Sequence, residues 1–149
     1  MKLVVYELTS TLYQEITTPN RRVNVRAIRP HIYKHNLPAG TLTINIRDTT
    51  GGLVKASDPV SISDIHTNGA NSQDFFHGYI RFDIEKDLLP NTTYRIELAS
   101  SGYTFAESAY IGWCNDFDLR KYDADYSPND GLVAAADMEI WESKETRRG

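Results

Sequence analysis

Apolar residues recur at every second position in short runs separated by turn residues, and no stretch keeps a helical spacing for more than two turns. A period of two places alternate side chains on opposite faces of a strand, so such a chain must solve the problem of covering sheet faces. Val, Ile and Thr together number 32 against 22 for Ala and Leu, a balance that fits a pleated surface better than a helix. Lys2 to Leu8 has Leu3 and Val5 on one face and Val4, Tyr6 and Leu8 on the other, which predicts a strand buried on both sides or one covered by a partner chain. Val23, Val25 and Ala27 alternate with Arg22, Asn24 and Arg26, but Ile28, Pro30 and Ile32 carry the opposite parity. A bulge or break near Ala27 explains the flip, and Pro30 predicts an edge position. Leu37 to Gly40 forms a turn before the alternating Leu42, Ile44 and Ile46, and Thr49 to Gly52 predicts a hairpin into Leu53 to Ser57. Val60 and Ile62 keep period two, whereas the spacing of Ile62 and Ile65 predicts a single helical turn.

Residues His66 to Asp74 read as an exposed loop, and Phe76 to Ile84 as the strongest strand of the chain. Strands at Tyr94 to Leu98, Ala109 to Cys114 and Met138 to Trp141 complete the pattern. Eight or nine short strands in 149 residues predict an all-β fold, a two-sheet antiparallel sandwich of jelly-roll type with first and last strands as neighbours. The expected organisation is a single domain over residues 1–142 followed by a flexible basic tail over 143–149.

The net charge of −4 is spread along the chain, and the densest basic cluster is the terminal Lys144, Arg147 and Arg148. That pattern argues against nucleic acid, and the short apolar runs argue against a helical membrane span. No basic segment followed by an apolar stretch stands at the start, so export is not expected, and the single Cys114 excludes an intramolecular disulfide. Cys114 beside Trp113 reads as a small buried hydrophobe rather than a reactive thiol. None of His31, His35, His66 and His77 lies in a nucleophile elbow or a zinc-protease helix, so no catalytic residue is assigned and an enzyme is not expected.

Polar residues concentrate between Asn115 and Asp130, where Asp116, Asp118, Asp123 and Asp125 offer oxygen ligands for a structural calcium ion. Their spacing departs from the EF-hand pattern, and a solvated loop of turn residues is the plainer account; no other cofactor is expected. Aromatics are the second concentration. Tyr79 shares a face with His77 and Arg81, and Trp141 with Glu139. With Tyr110, Trp113, Tyr122 and Tyr126 they suit stacking on a glycan, a protein interface, or the edge of a core. Val4, Tyr6 and Leu8 are the candidate self-association surface.

The stretch Leu37 to Ile44, the run Leu89-Pro90-Asn91-Thr92-Thr93-Tyr94-Arg95-Ile96-Glu97-Leu98, and Tyr110-Ile111-Gly112-Trp113 are similar to jelly-roll modules of the carbohydrate-binding type. Such sandwiches also resemble components of tailed-phage virions. The resemblance implies a bacteriophage virion structural protein, a capsid decoration, fibre or tail component acting through protein–protein contacts. Its implied partners are other virion proteins, further copies of itself and a host glycan, and its implied location is the virion, assembled in the host cytoplasm. The alternative is a free-standing carbohydrate-binding module.

Overall fold

The computed structural model describes residues 3–36, 38–65, 75–116 and 138–142. Eleven strands and one 3-10 turn occupy them: β1 Leu3–Glu7, β2 Leu12–Thr17, β3 Val23–His35, β4 Thr41–Arg47, β5 Leu53–Ala56, β6 Val60–Ser61, the turn Ile62–Asp64, β7 Phe75–Tyr79, β8 Phe82–Leu88, β9 Thr93–Ser101, β10 Tyr110–Asp116 and β11 Met138–Glu142. All pairings are antiparallel. One sheet runs β1-β10-β3-β8 and the other β2-β9-β4-β5, the interleaved order of a jelly roll. No helix among the described residues is long and apolar enough to cross a membrane.

Strand β3 organises the first sheet. At 13 residues it is long enough to take two partners on each edge. Along one edge β8 pairs its first half and β7 its second; along the other β11 and then β10 do the same. The parity flip near Ala27 is a bulge, a register shift between Val25 and Ala27 opposite β8. Pro30 lies in this central strand, not at the expected edge. Its carbonyl accepts the Ile80 amide at 3.1 Å, at the point where the partner strand breaks between β7 and β8. A residue's N and O point to the same edge, so proline's missing donor falls where the ladder is already interrupted. That break also divides the predicted Phe76–Ile84 strand in two.

Strand β2 carries no clean alternation because Gln14 sits between Leu12 and Ile16 on the inward face and is itself buried. The first strand pairs β10, as a jelly roll requires, whereas the last, β11, is added beside β3 instead of β1. The core between the sheets is built from Ile28, Ile32 and Phe82 of one and Leu42, Ile44 and Ile96 of the other, all fully buried. Lys34 also points inward. Its ammonium donates to the carbonyls of Ile62 at 2.9 Å and Ile65 at 2.8 Å, fastening the 3-10 turn over the core, and burial lowers its pKa. Gly40, with φ of 114°, makes the predicted turn, and a Cβ there would lie 2.7 Å from the Ser101 carbonyl.

A candidate functional site on the outer face of the first sheet

Alternation along β3 sends Ile28, Ile32 and Lys34 inward and Arg29, His31, Tyr33 and His35 outward. Cross-strand register then extends the outward set. Tyr79 stands opposite His31, His77 opposite Tyr33, Tyr110 opposite His35, Glu139 opposite Arg29 and Trp141 opposite Ala27. The result is one continuous face of rings about 20 Å long between Arg29 and His35, six strand residues apart.

Contacts run along its whole length. At one end Phe105 lies 5.4 Å from Tyr110, and Tyr110 lies 5.1 Å from His35 and 5.8 Å from Tyr33. In the middle His31 stacks on Tyr79 at 5.0 Å, and its Nε2 is 3.0 Å from Nδ1 of His77. At the other end the Arg29 guanidinium lies 5.6 Å from the Tyr79 ring and 4.8 Å from the Trp141 ring, with Arg81 5.1 Å from the latter. Such cation–π contacts contribute about 0.5–1 kcal/mol each at exposed positions. Carboxylates balance the cations: Glu139 accepts from Arg29 at 2.9 Å and from the Trp141 indole at 3.2 Å, and Asp83 accepts from Arg81 at 2.7 Å.

These rings are held yet not sealed. Tyr33, His35, Tyr79 and Tyr110 are half-buried, while His77 and Trp141 are exposed. Burial first, then the neighbouring Tyr33 and the charge of Glu7, raises the pKa of the Tyr110 phenol. Beyond Arg81 the face turns into a cleft of about 610 Å³ lined by Arg26, Lys55, Asp58, Arg81, Asp83 and Glu85. Cations and carboxylates are equal in number there and no aromatic side chain lines it.

Of the residues proposed from sequence, Tyr79, Tyr110 and Trp141 therefore come together on one surface. Trp113 does not. It is fully buried, because β10 alternation turns it inward beside Ile32, and it is corrected from a contact residue to a core residue. Leu8, 1% exposed, is likewise core and cannot serve as an association surface. Tyr6 packs half-buried against the same core, and the side chain of Val4 lies outside the described residues, as does that of Asp116. Tyr122, Tyr126, Asp118, Asp123, Asp125 and the 143–149 tail also lie outside them. Among the described residues no group of three or more His, Cys, Asp or Glu side chains converges as a metal site. Sequence reading missed Tyr33, His35 and Arg29 as site residues. Their signal was the parity change at the bulge, which places them on the same side as Tyr79.

No protein-family model matches the chain, and no curated protein matches it. Among solved structures the chain is similar to CBM28, a carbohydrate-binding module specific for non-crystalline cellulose, at 15% identity and a TM-score of 0.43. The likeness covers 76% of this chain and 69% of that one. The specificity in that description belongs to that module.

Proposed function

We propose that the chain is a non-catalytic binding module whose ring-lined face takes a carbohydrate. The observation that supports this is the alignment of Tyr33, Tyr79, Tyr110 and Trp141 on one outer sheet face with polar groups between them. A sugar ring presents an apolar C–H face and a rim of hydroxyls. Flat aromatics match the face, and His77, Glu139 and the tyrosine hydroxyls match the rim. Strand-borne rings are also ordered before the ligand arrives, which lowers the entropic cost of binding. A face of this length suits an oligomer rather than a single sugar.

Affinity electrophoresis through gels containing soluble neutral and anionic polysaccharides tests the reading. Retardation by at least one polysaccharide is expected. Trp141→Ala and Tyr79→Ala should each weaken it about tenfold, or about 1.4 kcal/mol. Tyr13→Ala, on the opposite sheet, should leave it unchanged. Unretarded migration in every gel would sink the proposal.

A second reading draws on strand β1, which pairs β10 on one edge and has no strand partner on its other edge among the described residues. Open edges pair with further strands. A virion structural protein, joined to other virion proteins or to its own copies, would use that edge. Its test is solution mass: a concentration-independent oligomer supports it, and a monomer at all concentrations counts against it.

A further inference from the structure

We infer that His31 and His77 form a two-nitrogen site for a borderline divalent transition metal, zinc in the first place. The two rings come from adjacent strands at a diagonal of the ladder, His31 opposite Tyr79 and His77 opposite Tyr33. Their facing nitrogens, Nε2 and Nδ1, are 3.0 Å apart and the ring centroids 5.1 Å apart. Without a metal, one of the two nitrogens carries the hydrogen and the other accepts it. For a metal to enter, that hydrogen moves to the other nitrogen of its own ring, which leaves a lone pair on each facing nitrogen for the ion.

The ring separation is closer to one metal geometry than to another. With zinc–nitrogen bonds of about 2.05 Å and a tetrahedral angle, two imidazole centroids stand about 5.2 Å apart and the two nitrogens about 3.3 Å apart. A right-angled pair on a tetragonal copper ion would bring the centroids to about 4.5 Å. The observed 5.1 Å between centroids lies close to the first arrangement, and the facing nitrogens, 3.0 Å apart as a direct hydrogen bond, must open to about 3.3 Å to admit zinc.

The surroundings favour a site as well. His31 is 9% exposed and stacked on Tyr79, so one ligand is pre-positioned. His77 is exposed, which gives the ion a way in. The nearby Arg29 charge is balanced by Glu139 at 2.9 Å, which lessens its repulsion of a dication. Two protein nitrogens leave two positions for water or for an oxygen of whatever the face holds. The inference stands independently of the carbohydrate reading.

Isothermal titration of the full chain, stripped with chelator and titrated with zinc chloride in a non-coordinating buffer at neutral pH, tests it. One saturable zinc per chain is expected at micromolar affinity. His77→Ala, at an exposed position that leaves the core intact, should weaken binding at least about tenfold. His35→Ala, on the same face outside the pair, should not change it. Absence of saturable binding overturns the inference, and so does binding that survives His77→Ala, since the ion would then sit elsewhere. Histidine ring resonances give a second readout: zinc should shift those of His31 and His77 and spare His35, and the reverse pattern overturns the assignment.

Discussion

The outer faces of the two sheets are built from the same alternation and carry opposite chemistry. On the five-stranded sheet polar pairs close on one another: Arg95 donates to Glu15 at 3.2 Å and lies 4.8 Å from the Tyr13 ring, and Glu97 accepts from Asn45 at 2.7 Å and from Arg47 at 2.9 Å. The Thr17 and Thr93 hydroxyls pair at 2.8 Å. These groups satisfy their hydrogen bonds within the face. On the six-stranded sheet rings lie in stacked and tilted contact, with hydrogen-bonding groups spaced among them. A face that satisfies itself supports stability, and a face that displays rings has binding capacity left over.

The two tryptophans of the six-stranded sheet give the sharpest test of this contrast, because they differ in little except parity. Trp113 points in and is fully buried, whereas Trp141 points out and is 36% exposed. Trp113→Ala should cost about 3–5 kcal/mol of unfolding free energy, read by urea denaturation. Trp141→Ala should cost less than about 1 kcal/mol while weakening polysaccharide retention. Equal losses of stability in the two variants would break the distinction between inner and outer faces.

A smaller effect is expected on the other sheet. The Glu97 side chain is 15% exposed, and one of its oxygens accepts from both Asn45 and Arg47. Glu97→Ala removes the acceptor of the buried Asn45 amide and of Arg47 Nε, while Arg47 keeps its bond to the Gly51 carbonyl, at a cost of about 1–2 kcal/mol in thermal or urea unfolding. Polysaccharide retention should not change. If retention fell with Glu97→Ala, the five-stranded face would belong to the binding surface and the comparison would have to be redrawn.

How much of this was legible follows from the same parity logic. The jelly-roll class, the bulge at Ala27, the turn at Gly40 and the single helical turn near Ile62 all follow from local spacing, and the structure has them. Strand β2 was not legible, because the buried Gln14 breaks its inward apolar row. Nor was the central position of Pro30, which depends on a break in a strand some 50 residues away in sequence. Trp113 and Trp141 both read as strand aromatics, and only the register of β10 and β11 against β3 tells inward from outward. The pairing of His31 with His77 is likewise a property of register, invisible while the partner of β3 is unknown. Local pattern names the strands; which rings share a surface is a long-range fact.

The smallest expected effect lies at the β4–β5 turn, at the end of the polar sheet. Asp48 Oδ1 accepts from the Thr50 hydroxyl at 2.6 Å, the Gly52 amide at 2.8 Å and the Thr50 amide at 3.0 Å. The Thr50 hydroxyl first, and then the Gly52 amide, lower the carboxyl pKa from its ordinary 3.8. A carboxyl depressed in the folded state adds stability that is complete above the unfolded value and is lost as pH falls through the folded one. The stability difference between the wild type and Asp48→Ala should therefore be constant near neutrality and shrink below about pH 4. Thermal melts from pH 7 down to pH 2 check this. A difference that stays constant throughout would mean that the turn is held by its backbone alone, and that the polar sheet draws no stability from this charge.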